Sequence, residues 1–128
     1  MYGNNAFNVY KNNSVNFASK DQLLLMLVDG AVKFSKMARE GLENKDINKS
    51  HENLVKTQDI FTELMVSIDQ NAGDWAKDMY KVYDFIKVSL FKINMKKDLK
   101  AMDEIMPVII SVRDTWYEAY EKSKGMRK

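Results

Sequence analysis

Apolar positions recur along this chain at spacings of three and four, the period of a helix with one buried face. The densest stretch is Ser19–Ala31, SKDQLLLMLVDGA. Ser19 is placed to cap the first free N–H groups of a helix, and Gln22, three residues on, to reach back and close a capping box. Leu23, Leu24, Leu25, Met26, Leu27 and Val28 then follow without a polar break. At about 100° per residue such a run goes all the way round a helix. It requires cover on several sides, from neighbouring helices, from a partner, or from both.

Four helices follow from the pattern. The first is predicted over Lys20–Glu43, with Ala31, Phe34, Ala38 and Leu42 continuing its stripe and Gly30 permitting a close approach near its middle. Asn44, Lys45 and Asp46 form a turn, with Asp46 as the next cap. The second helix is predicted over Ile47–Ile68. Its inward positions read Ile47, His51, Leu54, Gln58, Phe61, Met65 and Ile68, a seam in which His51 and Gln58 make a buried or half-buried polar layer. Gln70–Asp74 is a second turn. A third helix over Trp75–Met95 carries Trp75, Met79, Val82, Ile86, Leu90 and Ile93 as its stripe, with Tyr80, Tyr83 and Phe91 beside it. Asp98 caps a fourth helix that runs to about Lys122 and lines one face with Leu99, Met102, Met106, Ile109, Val112, Trp116 and Tyr120. Pro107 removes a backbone donor inside it, so a kink or local break near Asp103–Pro107 is expected: one bent helix, or two shorter ones. Short turns between long helices specify an all-α, antiparallel up-down four-helix bundle.

The ends read differently. Residues 1–18 hold asparagines at 4, 5, 8, 12, 13 and 16 among Tyr2, Phe7, Tyr10, Val15 and Phe17. Asparagine competes with helix formation, so this is an extended or partly ordered arm whose aromatics dock on the bundle or on a partner. The bundle is taken as 19–122, and 123–128 as a basic, solvated tail.

Composition removes several function classes. The chain has 128 residues, one domain's worth, with no cysteine and a net charge of +2 spread over interspersed acids and bases. Disulfides and thiolate metal sites are excluded. A nucleic-acid binder shows a clearer basic stripe. No segment has the run of about 20 apolar residues that spans a bilayer, and MYGNNAFNVY lacks the basic and apolar regions of a signal peptide, so a cytoplasmic location is expected. The nine methionines suit an adaptable binding groove and equally a plain core.

Catalytic and cofactor motifs are missing. A di-iron bundle needs Glu-x-x-His on two helices, whereas the single histidine, His51, is preceded at three residues by Asn48. HExxH, GxGxxG and the phosphate-binding GxxxxGKS/T are absent, and no sharp turn presents a serine nucleophile to His51. Asp103 and Glu104 are adjacent and point to different sides. No enzymatic activity, no cofactor and no metal are expected. What remains is surplus apolar and aromatic surface on a helical frame, which suits a groove for an amphipathic helix or an extended peptide.

Particular residues then resemble one family. Tyr10-x4-Val15, Phe17-Ala18-Ser19, Gln22-Leu23 and Met26-Leu27-x-Asp29-Gly30-Ala31 are similar to the start of the flagellin export chaperones, the FliS family. The likeness continues through Glu52-Asn53-Leu54-x-Lys56-x-Gln58-Asp59-Ile60, Glu63-Leu64, Tyr83-Asp84-Phe85 and Asn94-x3-Asp98, and ends at Arg113-Asp114-x-Trp116. Phe17, Ile86-Lys87, Ile93-Asn94 and Pro107 depart from the family's usual residues.

The resemblance implies a cytoplasmic binding protein. It would hold the disordered C-terminal segment of flagellin, prevent premature polymerisation and deliver flagellin to the type III export gate. It also implies that Phe7, Tyr10 and Val15 of the arm contact partners. The groove would be built from exposed faces of Leu23, Leu24, Leu27, Val28 and Ala31 with Asn53, Tyr80 and Tyr83. A self-associating helical structural or adaptor protein is the alternative, and weak self-association of the chaperone itself is left open. Neither nucleic acid nor membrane insertion is expected.

Overall fold

The computed structural model describes residues 19–126. Within them the chain forms α1 (Lys20–Glu43), α2 (Ile47–Ser67), one 3₁₀ turn at Gln70–Ala72, α3 (Asp74–Lys96) and α4 (Leu99–Met126). Each helix packs on the next in sequence, and α4 closes back on α1. The result is the antiparallel up-down four-helix bundle expected from short connections between long helices.

The helix ends follow their local chemistry. Ser19 Oγ accepts from the Gln22 N–H, and Gln22 Oε1 accepts from the Ser19 N–H, which completes the capping box. Asp46 accepts from the Lys49 N–H at 3.0 Å and Asp98 from the Ala101 N–H at 3.0 Å. Lys97 adopts a left-handed conformation (φ 51°) that ends α3. Gly73 starts α3 at φ 150°, backbone that a side chain would strain.

The core answers the question raised by the Leu23–Val28 run. Leu25, Leu27 and Val28 are buried, and Leu23, Leu24 and Met26 are half-buried. Leu27 and Val28, with Leu24 packed against them, join Ala31, Val32 and Ala38 of α1, Leu54, Ile60, Phe61 and Leu64 of α2, Tyr83, Ile86 and Leu90 of α3, and Met102, Ile105 and Ile109 of α4.

Several expectations are corrected. Helix α2 faces the core through Ser50, Asn53, Leu54, Thr57, Ile60, Phe61 and Leu64, so the inward seam lies to one side of the expected one. Ile47 is 67% exposed and His51 is exposed, with Asn94 donating to His51 Nδ1 at 3.0 Å. The buried polar groups are instead small. Thr57 Oγ1 donates to the Asn53 carbonyl and Ser35 Oγ to the Val32 carbonyl, each at 2.8 Å. Because such side chains satisfy themselves on their own helix, they pass inside without a partner across the interface. Trp75 and Phe91, expected on or beside the α3 stripe, are exposed.

Helix α4 continues unbroken through Pro107 and past Lys122 to Met126, so the two-helix alternative does not occur. Pro107 and Asp103 are both exposed, so the missing hydrogen bond falls on the outer side of the helix. Asp103 also accepts from Arg39 Nε of α1 at 2.5 Å, tying the two helices together beside the proline.

The close approach belongs to Gly41 rather than to Gly30. A Cβ on Gly41 would sit 2.6 Å from the backbone nitrogen of Ser50, whereas one on Gly30 would meet only the tip of Ile60 at 3.2 Å. Gly41→Ala should therefore destabilise the protein by about 1–3 kcal/mol, the usual cost of overpacking a tight contact. Gly30→Ala should be near neutral, because better helix propensity offsets a small shift of Ile60. Paired urea or thermal melts of the two variants check this, and an equal loss in both would contradict it.

Candidate functional site

One end of the bundle is incompletely closed. An apolar groove of about 460 Å³ opens there between the start of α1, the end of α2, the first half of α3 and the last part of α4. Leu23, Leu24 and Leu27 form one wall, Leu64 and Ile68 a second, and Trp75, Tyr83 and Trp116 a third. Lys20, Asp21, Glu63 and Asp69 stand around it. An apolar concavity with a few polar groups at its edge is the general form of a binding site.

The aromatic wall has fixed geometry. Trp75 and Trp116 meet edge to face, with ring centroids 6.0 Å apart at 76°. The Trp116 indole N–H donates to Tyr83 Oη at 2.8 Å across α3 and α4. Tyr83 in turn packs on Phe61, 6.0 Å between centroids. Burial pushes the Tyr83 phenol up to about 12, a rise that the Trp116 hydrogen bond moderates. Trp75 remains 55% exposed and so presents a large, rigid apolar face to incoming groups.

The expected site residues divide into three sets. Leu23, Leu24, Leu27 and Tyr83 come together at this groove; Leu27 and Tyr83 are only 4% and 1% exposed and form its floor. Val28, Ala31 and Asn53 are buried between helices, so the exposed faces expected of them are corrected: their residue type and spacing serve the core. Tyr80 is half-buried and does not line the groove. Phe7, Tyr10 and Val15 lie outside the described residues.

Sequence reasoning missed Ile68, Trp75 and Trp116 as groove residues. All three read as inward positions of their helices. The signal available for Ile68 and Trp75 was that each lies at a helix end, where a bundle stops covering its own core; Trp116, well inside α4, gave none.

Among the described residues no group of three or more His, Cys, Asp or Glu side chains is placed to hold a metal ion. No helix among them is long and apolar enough to cross a membrane.

Comparison with known proteins agrees with the site's character. The sequence model described as "Flagellar protein FliS" matches residues 3–123. The chain belongs to the FliS family. It is 32% identical over 123 residues to the "Flagellar secretion chaperone FliS" of Bacillus subtilis, covering 96% of this chain and 92% of that protein. The Salmonella typhimurium protein of the same name is 30% identical over 108 residues, covering 83% and 80%. A solved structure titled "Crystal structure of flagellar chaperone from bacteria" superposes with a TM-score of 0.72 over 92% of this chain and 97% of the other, at 19% identity, which shows a shared fold. The family is one of flagellar secretion chaperones, whose work is binding and not catalysis.

The Tyr83 phenol gives a pH prediction with a definite sign. Its folded value lies above the ordinary 10, so the contribution to stability is complete below pH 10 and is lost as pH rises towards 12. Thermal melts of wild type should fall over that window. Tyr83→Phe should remove this part of the pH dependence and cost about 1 kcal/mol at neutral pH for the lost hydrogen bond. Identical alkaline profiles for the two proteins would contradict the burial argument.

Proposed function

We propose that this chain acts in the cytoplasm as the chaperone of flagellin. It binds the disordered C-terminal segment of flagellin, prevents its premature polymerisation and delivers it to the type III export gate. The observation that carries this reading is the apolar groove at the bundle end, formed from all four helices and edged by the exposed Trp75. A flagellin tail assembles by burying its apolar stripe against other copies, and the groove offers that stripe a competing surface. Ordering a disordered tail costs entropy, so the contact has to be long, and a segment that wraps beyond the groove supplies the length.

Phe7, Tyr10 and Val15 of the arm are proposed to cover the groove when it is empty and to contact the export gate. Lys20 and Asp21 line the groove, so α1 begins beside it. A displaceable cover lowers net affinity and protects an apolar patch from aggregation.

Calorimetry with a flagellin C-terminal peptide checks the proposal. A stoichiometric complex with a negative heat-capacity change is expected, together with a change in tryptophan fluorescence. Leu24→Asp should weaken binding by about tenfold or more while the half-buried position keeps the protein folded. Absence of binding at tens of micromolar would sink the proposal. A stable dimer by light scattering that ignores the peptide would favour a self-associating structural bundle instead.

A further inference from the structure

The net charge of +2 hides a strong polarity along the bundle. Each helix can be cut at its middle, which divides the described residues into two ends. The end that holds Trp75 comprises residues 20–31, 58–85 and 113–126. It has eleven acidic and six basic residues, a net charge of −5. The other end, residues 32–57 and 86–112, has seven acidic and eleven basic residues, a net charge of +4. Neither end shows this in a single run of sequence. The antiparallel packing collects it, because it brings the starts of α1 and α3 beside the ends of α2 and α4.

The excess is local to the groove as well. Asp21, Glu63 and Asp69 line it, against Lys20 alone among its cations. Asp74 and Asp78, both exposed, lie one position before Trp75 and three after it on α3. Residues three apart are neighbours on a helix surface, so Asp78 stands beside the indole. Lys77 and Lys81 lie about 200° and 240° round the helix from Trp75, on its other side. Uncharged donors in the groove are already committed. The Trp116 indole N–H donates to Tyr83 Oη at 2.8 Å, and Ser67 Oγ donates to the Glu63 carbonyl at 2.6 Å. The site is the apolar groove itself, and its polar edge consists mainly of acceptors with negative charge.

We infer that the Trp75 groove is selective for a cationic segment: a peptide whose apolar side chains fill the groove and whose flanking positions carry lysine or arginine. The inference rests on reading the groove as a peptide site and adds the charge that its occupant must have. A flanking cation can lie over the face of Trp75, which is 55% exposed, and meet the carboxylates of Asp74 and Asp78. The net −5 of this end also draws such a segment in before contact, so the charge acts on the association rate and is screened by salt. The basic end of a second copy has the right sign. It fits less well, because the broad end of a folded bundle cannot enter a groove of about 460 Å³ between helices. Nucleic acid and anionic membranes are repelled.

Two synthetic peptides of about 18 residues test the inference on the full chain. Both have leucines at helical spacing; one has lysines flanking them and its twin has glutamates there. Indole chemical shifts, tryptophan fluorescence and stopped-flow mixing are the readouts. The lysine peptide should shift the Trp75 and Trp116 indole signals and bind at least about tenfold more tightly than its twin at low salt. Most of that advantage should lie in the association rate. It should vanish in about 1 M sodium chloride, where screening acts within about 3 Å. Asp74→Lys with Asp78→Lys should abolish the preference with little change in melting temperature, since both side chains are exposed. Lys92→Glu with Lys96→Glu, at the other end of α3, should leave the preference as in wild type. The inference is overturned if the two peptides bind alike, if the lysine peptide leaves both indoles unmoved, or if the two double variants act equally. It is also overturned if sedimentation at low salt shows head-to-tail chains that Asp74→Lys with Asp78→Lys abolishes. A flagellin C-terminal peptide separates the two readings. If it binds the groove while the designed peptides show no charge preference, the selectivity fails and the chaperone reading stands. If the lysine peptide binds as expected and the flagellin peptide cannot displace it, the selectivity stands and the chaperone reading fails.

Discussion

The contact between α1 and α2 at Gly41 and Ser50 governs how the rest of the bundle closes. No side chain separates the two backbones there, and Ser50, Asn53 and Thr57 of α2 turn small polar groups inward beside it. Thr57 and Ser50 satisfy their hydroxyls on carbonyls of their own helix, so the interface needs no matched partner to stay dry. Packing is densest along this seam and thinnest between α3 and α4. Four helices cannot all approach that closely around a core containing Phe61 and Tyr83. Closure is looser at the Trp75 end and along α3 and α4, and a further opening of about 470 Å³ lies beside the tight contact itself, lined by Gly41, Leu42, Ser50 and Leu99.

At the Trp75 end the looseness has a specific form. Leu23 and Leu24 belong to a run that is apolar all round, and the neighbouring helices cover only part of it. Trp116 is held by its hydrogen bond to Tyr83, and Trp75 stacks edge-on against it. The wall is thus rigid while the opening stays apolar. A rigid apolar wall costs little ordering when a flexible chain binds, so most of the entropy loss falls on the client. That balance suits a chaperone of a secretion pathway, which has to hold its cargo and also release it.

The surface is as informative as the core. Isolated apolar residues on a protein surface are ordinary, but those here are not isolated. Phe85, Val88, Phe91 and Met95 fall on one side of α3 beside lysines, and Leu23, Leu24 and Trp75 fall at one bundle end. On α3 itself, Trp75 and the residues between 85 and 95 occupy opposite halves.

Local chemistry was legible in the amino acids. The Ser19–Gln22 capping box, the Asp46 and Asp98 caps and the bounds of α1 are set by residues within a few positions of one another, and they stand in the structure as read. The all-α class and the family follow from helical spacing and from motifs spread over the chain. Facing did not follow in the same way. Val28, Ala31 and Asn53 read as groove residues with exposed faces and are buried, while Ile47 and Trp75 read as inward and are exposed. The spacing of a helix determines which residues share a side, but only the neighbouring helices determine which side is covered. The Leu23–Val28 run is apolar on every side, so its own pattern could not divide core from groove. Cover by α2 and α4 made that division, burying Leu25, Leu27 and Val28 and leaving Leu23 and Leu24 at an open end.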